Sequence, residues 1–171
     1  MTVRRLAADE LTGVYAIDMT ESGDTVYRIV DDQLQSVAEK WQRPPRTKKR
    51  WDDMIARWRN TLERGGEAWG AYDNGRMVAI AVLRYRLSDD VAELAALFVS
   101  RPYRRRGIAR RLTQTVLDAA HQSGASSVYV SATPSVSAVG FYRRMGFGLA
   151  ESVNPELYAL EPEDIHMVRT V

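Results

Sequence analysis

The densest group of side chains that could do chemistry is Tyr103-Arg104-Arg105-Arg106-Gly107-Ile108-Ala109. Arg104, Arg105 and Arg106 supply full positive charges. Gly107 lets the main chain approach a ligand with no Cβ in the way, and Ala109 keeps that approach close. A helical pattern starts at once, with Ile108, Leu112, Val116 and Ala119–Ala120 on one side. The first N–H groups of a helix lack internal partners, and the helix dipole adds partial positive charge there. The chemistry is anion binding, and it suits a phosphate or pyrophosphate. Two further groups could move protons. The Tyr142 phenol is protonated at neutral pH and can donate, and the Glu93 carboxylate can accept. Each also has a plainer role open to it. Tyr142 could be a half-buried helix tyrosine with a satisfied hydroxyl. Glu93 could be a strand-end carboxylate facing water or paired with an arginine.

Positioning these groups requires a strand, a turn and a helix in succession. Glu93-Leu94-Ala95-Ala96-Leu97-Phe98-Val99 is apolar on both faces, as expected of a central strand. Regular alternation would put Glu93, Ala95, Leu97 and Val99 on one face. Pro102 ends the strand, and Gly124 closes the helix as a left-handed cap. Upstream, Glu67–Tyr72 and Met77–Tyr85 read as strands joined by Asp73-Asn74-Gly75-Arg76. Ser88-Asp89-Asp90 turns the chain into the central strand, completing an antiparallel meander. Downstream, Ser127–Ala132 should pair parallel to the central strand, because a helix connects the two. A short helix follows Thr133-Pro134-Ser135 and stops at Gly146. Phe147–Val153 and Asp164–Val171 read as final strands, with Pro155 and Pro162 in a loop between them.

The first third is less marked. Val3–Leu6 reads as a strand, and Asp9 as the cap of a helix carrying Leu11, Val14, Tyr15 and Ile17. Ser22-Gly23-Asp24 reads as a turn, and Thr25–Val30 with Leu34–Trp41 as a hairpin closed by Asp31-Asp32-Gln33. Thr47 caps a helix whose apolar face is Trp51, Met54, Ile55, Trp58 and Leu62. Gly65-Gly66 ends it.

Composition narrows the function. A chain of 171 residues, 45% apolar and 27% charged, suits one globular domain with a full core. With no cysteine, disulfides, thiolate catalysis and cysteine metal sites are excluded. The two histidines, His121 and His166, lack metal-ligand spacing, so no metal is expected. A net charge of +2 implies no global nucleic-acid field. Arg4 and Arg5 precede no long apolar region, and the longest apolar run, Met77–Leu83, is too short to span a bilayer. A cytoplasmic protein without membrane contact is the expectation.

Arg104-x-x-Gly107-x-Ala109 resembles the Arg/Gln-x-x-Gly-x-Gly/Ala signature of the GNAT superfamily of acyl-CoA-dependent N-acetyltransferases. Ala138-x-x-Phe141-Tyr142 followed by Gly146-Phe147 resembles that family's second segment. The resemblance implies a single α/β (α+β type) domain over residues 1–171. Its sheet would be mixed, mostly antiparallel and twisted, of about six to seven strands with helices on both faces. Residues 1–66 would form the acceptor side and 67–171 the acetyl-CoA core. It further implies that Arg104, Arg105, Arg106, Gly107, Ile108 and Ala109 bind the pyrophosphate and pantetheine of coenzyme A. A main-chain N–H near Leu97, Phe98 and Val99 would polarise the thioester, at a bulge in the family's strand. Where many members carry an asparagine, Ser135 or Ser137 would have to serve. Tyr142 would protonate the leaving thiolate. Glu93, eleven residues before Arg104, stands where some lysine-acetylating members place a base. Attack would be direct, since no cysteine can form an intermediate.

The implied acceptor is a small-molecule or peptide amine, held by the first helices and the Arg86–Asp90 turn. Asp18, Glu21, Asp31 and Asp32 could attract its charge. Two other classes compete. One is a non-catalytic CoA-binding or sensing module on the same fold. The other is a nucleic-acid-binding domain using Arg43–Arg50 and Arg101–Arg111. An exposed sheet edge could support a homodimer.

Overall fold

The computed structural model describes residues 1–171. Nine strands form: β1 (Thr2–Arg5), β2 (Glu21–Val30), β3 (Gln33–Arg43), β4 (Glu67–Asp73), β5 (Arg76–Ser88), β6 (Val91–Val99), β7 (Ser127–Ala132), β8 (Gly148–Leu149) and β9 (Ile165–Thr170). Four α-helices join them: α1 (Lys48–Glu63), α2 (Ile108–Gln122), α3 (Val136–Arg144) and α4 (Pro155–Leu160). Seven strands make one sheet in the order β1-β4-β5-β6-β7-β9-β8, and β2 and β3 form a second, two-stranded sheet, joined to the segment before α3 by a single bridge between Val26 and Ser135. Every pairing in the large sheet is antiparallel except β6 with β7, which is parallel across the α2 crossover.

Two apolar cores flank that sheet. On one face, Leu112, Val116, Leu117 and Ala120 of α2 pack with Val139 and Tyr142 of α3 against Val78, Leu83, Leu94 and Val130. On the other, Trp51, Met54, Ile55 and Trp58 of α1 pack with Leu11 and Val14 against Met77, Ile80, Val82 and Ala96. Each fully buried aliphatic side chain here contributes about 1.5–3 kcal/mol. The helical spacing of those residues is therefore enough to orient α1 and α2. Thr47 caps α1 by accepting from the Arg50 N–H at 3.2 Å. Gly124 sits at φ 88°, closing α2.

Five local features differ from the sequence reading. Residues 8–16 form a 3-10 helix capped at Ala7, not an α-helix capped by Asp9. Gly13 lies against Met77, where an added Cβ would meet the methionine Cε at 2.7 Å, and Tyr15 is exposed. Ser22-Gly23-Asp24 is strand rather than turn, with an irregular register between Gly23 and Thr25. Gly23 makes room for the Trp41 indole, whose Nε1–H donates to the Thr25 carbonyl at 3.0 Å. Pro155 begins α4 instead of lying in a loop, because Asn154 accepts the Leu157 N–H at 3.1 Å and proline fits a first turn. The strand expected from Phe147 is only Gly148–Leu149.

The fifth difference reshapes the centre. The β5–β6 register slips between Val82 and Leu83, pairing Val82 with Ala96 but Leu83 with Leu94, so Ala95 is an extra residue. A bulge reverses which face later side chains take. Ala92 and Leu94 join the α2 core, whereas Ala96 joins the α1 core. Leu97 and Val99 pack on the α2 side and Phe98 on the α1 side. Glu93, between Ala92 and Leu94, therefore faces α1 and does not share a face with Leu97 and Val99.

Candidate active site

A cleft of roughly 2440 Å³ runs along β6 and is lined from α1, α3, α4 and the start of α2. Its origin is a split in the sheet. β6 and β7 pair only over Val91–Glu93 with Ser127–Tyr129. Beyond Glu93 the two strands part, and the β7-side edge of β6 is left unpaired. Leu97, Phe98 and Val99 all line the opening.

At one end lies the Arg104–Ala109 loop. Arg105 at φ 61° and Gly107 at φ 78° both adopt the left-handed conformation. Such a path turns successive N–H groups toward one point. The N–H groups of Arg105, Arg106 and Gly107 donate to nothing within the protein, and the bond closing this end of α2 is Arg111 N–H to the Gly107 carbonyl at 3.0 Å. Ile108, Ala109 and Arg110 open the helix and have no intrahelical acceptor. Six consecutive donors thus form an anion cradle. An added Cβ at Gly107 would meet no protein atom within 4 Å, so within the protein glycine is needed there for its φ alone.

The three arginine side chains of the motif are placed differently from one another; Arg104 and Arg105 line the cleft and Arg106 does not. The Arg104 guanidinium donates to the Val99 carbonyl at 3.1 Å and the Thr20 carbonyl at 3.3 Å, and lies 3.7 Å from Glu21. It ties the end of β6 to the start of β2. Arg106 is not part of the cleft; it stacks over Tyr103 at 5.2 Å. Arg105 lines the cleft together with Gly107, Ile108 and Ala109.

Ser135 and Ser137 reach the cleft wall, but both hydroxyls are engaged. Ser135 caps α3 by accepting the Ala138 N–H at 3.2 Å, and Ser137 donates to the Glu21 carboxylate. Tyr142 is 7% exposed and lies between the Phe141 and Phe147 rings. Its hydroxyl has no hydrogen-bond partner in the protein, and the residue lines the cleft. Burial, with a smaller contribution from Asp164, pushes its phenol far above the usual range, so it stays protonated.

Glu93 is also 7% exposed. Burial pushes its carboxyl up to about 7, against the opposing pull of Arg84, 3.6 Å away. Arg84 is itself shared with Glu156 of α4 through two hydrogen bonds, at 2.7 and 3.2 Å. Glu93 thus has the proton affinity of a base working near neutrality. It and Tyr142 stand on opposite faces of the sheet, and the β6–β7 split is the passage between them.

The acidic residues expected to draw an amine are mostly elsewhere. Asp18 accepts from the Thr20 N–H and hydroxyl at 2.9 and 2.6 Å, a local turn outside the cleft. Asp31 and Asp32 close the β2–β3 hairpin at φ 49° and 58°. Only Glu21 of that set lines the cleft. The 3-10 helix and the Ser88–Asp90 turn do not reach it, whereas α1 and Arg86 do. Arg84, Glu156 and Asp164 also line the cleft, and the sequence reading does not single them out. Arg84 stands opposite Glu93 in the β5–β6 register, so pairing the meander strands would have found it. Asp164 is pushed up to about 7, chiefly by burial. No spacing marks it.

Comparison with known proteins agrees with this geometry. The model of the acetyltransferase (GNAT) family matches residues 25–147. Human N-acetyltransferase 8 is 37% identical over 90 residues, a match spanning 50% of this chain and 40% of that protein. Among solved structures, nourseothricin acetyltransferase superposes with a TM-score of 0.76 at 20% identity, covering 99% of this chain and 97% of that one. The PaiA N-acetyltransferase of Thermoplasma acidophilum, solved with coenzyme A, gives 0.62 at 13% identity, covering 99% and 98%. The ribosomal-protein-S18-alanine N-acetyltransferase of Escherichia coli gives 0.62 at 19%, covering 99% and 93%. With its seven-stranded sheet parting at β6–β7 above a main-chain anion cradle, the chain belongs to the GNAT acetyltransferase family.

Proposed function

We propose that this protein transfers an acetyl group from acetyl-CoA to a primary amine by direct attack. One observation carries the reading: six successive N–H groups without a protein partner run along Arg105–Arg110, beside a cleft whose wall holds Glu93. The cradle takes the diphosphate of coenzyme A, which leaves the thioester beside the free edge of β6. A main-chain N–H on that edge, near Leu97–Val99, stabilises the developing oxyanion. The amine enters from the α1 face and gives its proton to Glu93, directly or through one water. The C–N bond forms as the C–S bond breaks, and the thiolate takes the Tyr142 proton on the α2–α3 face. Donor and acceptor therefore meet through the split from opposite sides.

Calorimetry with coenzyme A, followed by a thiol-release assay over a panel of amines, tests the reading. Binding with turnover on at least one amine is expected. Binding without turnover on any of them would leave only a CoA-sensing module. Absence of binding would remove the donor assignment altogether.

A further inference from the structure

Twelve arginines and no lysine line the cleft, against five carboxylates. The diphosphate cradle accounts for those near residues 104–110. It does not account for Arg46, Arg50 and Arg57, which precede or lie on α1 at the other face of the sheet. None of these three has a carboxylate within salt-bridge distance, whereas Arg43 pairs with Glu21 at 3.1 Å and Arg84 with Glu156 at 2.7 Å.

Arg46 is the most constrained of the three. Its guanidinium stacks over the Trp51 ring at 5.3 Å and the Phe98 ring at 5.2 Å. One Nη donates to the Met54 sulfur at 3.3 Å, a weak acceptor, and its Nε is buried with no partner at all. Burial, and the like charges of Arg50, Arg43 and Arg57, push its guanidinium down to about 10, with Glu161 as the one acid that opposes them. A cation held over two adjoining aromatic rings, crowded by cations and short of acceptors is stabilised by a bound anion. Phe98 lies one side of β6 from this cation, and Glu93 faces the same side. Phe98 and Glu93 stand five residues apart along β6, so an anion here and an amine reaching Glu93 would belong to one extended molecule, spanning on the order of 10–15 Å of the cleft.

We infer that the acceptor is an amine that also bears an anionic group, a carboxylate or a phosphate, held by Arg46 and Arg50 while its amino group meets Glu93. This rests on the acetyl-transfer reading and narrows it. Polyamines and other purely cationic amines are then poor acceptors, because their charges meet Arg46, Arg50 and Arg57. Among peptide acceptors, the carboxylate belongs to a side chain a few residues along from the reacting amine.

The test uses matched pairs of acceptors with the intact protein and acetyl-CoA. One arm compares ω-amino acids of increasing length, from glycine upward, with their carboxamides, and the other compares short peptides bearing phosphoserine within the first four residues with their serine counterparts. Spermidine serves as the anion-free amine. The anionic member of at least one pair should have a kcat/KM about tenfold or more above its neutral partner, as expected for a charge-assisted hydrogen bond. The better arm identifies the group as carboxylate or phosphate. In Arg46→Ala that ratio should fall toward one. Because Arg46 also packs on Trp51 and Phe98, the exposed Arg50→Ala is the second variant, with a smaller fall in the same ratio. Coenzyme A binding by calorimetry confirms that each variant is folded. Equal or better turnover of the carboxamides, the unphosphorylated peptides or spermidine would overturn the inference while acetyl transfer stands. So would coenzyme A binding with no turnover of any anionic amine. Failure to bind coenzyme A would remove both.

Discussion

The two ends of the cleft are built from different materials. At the end proposed for the donor, main-chain N–H groups without a protein partner lie on one continuous segment, Arg105–Arg110. At the end proposed for the acceptor, the polar groups are side chains from separate segments: Arg46 before α1, Arg84 on β5 and Glu93 on β6. A main-chain site depends on φ and on helix start, and tolerates many side chains. A side-chain site depends on burial and on neighbours, so single substitutions change its chemistry.

The contrast can be broken first at Glu93. Glu93→Gln should lower kcat on the order of a hundredfold with coenzyme A affinity kept. In the parent, activity should rise with pH through about 7 as Glu93 loses its proton, and the variant should lack that limb. The same group affects stability in the opposite direction. The folded chain keeps a proton that the unfolded chain releases near 4.5, so this contribution is full below 4.5 and is lost as pH rises to about 7. Thermal melts at pH 8 should find Glu93→Gln more stable than the parent, by at most about 3 kcal/mol. A parent pH profile shared by the variant would remove Glu93 from the reaction.

Tyr142→Phe should cost about tenfold to a hundredfold in kcat. Since the hydroxyl bonds to no protein group, the melting temperature should hardly move. A large loss of stability with normal turnover would mark Tyr142 as a packing residue only. Gly107→Val should weaken coenzyme A about tenfold in calorimetry and destabilise the fold by about 1–3 kcal/mol, since valine is strained at positive φ. The smallest effect is expected at Arg104. Arg104→Gln should change coenzyme A affinity less than about threefold while lowering stability by about 1 kcal/mol, the worth of its lost bonds to Val99 and Thr20. A large loss of affinity there would show that the donor end also depends on side-chain charge.

The same contrast governs what the residues alone disclosed. The donor end was legible because strand, glycine turn and helix are contiguous, and period and punctuation mark each. The meander and the parallel return of β7 followed from turn chemistry and crossover length. The acceptor end was opaque for physical reasons. The bulge at Ala95 carries no glycine or proline, so regular alternation put Glu93 on the wrong face. Pro155 suggested a loop, although Asn154 before it is a good cap. Arg46 lies in a proline-rich loop, and its isolation from carboxylates appears only when α1 packs beside Phe98.

The parting of β6 from β7 has a consequence for handling the purified chain. A strand with one bare edge is a template for any other strand that drifts past. Solutions kept without coenzyme A should grow turbid on standing, and the nucleotide should keep them clear by occupying that seam. Light scattering over days would follow this directly.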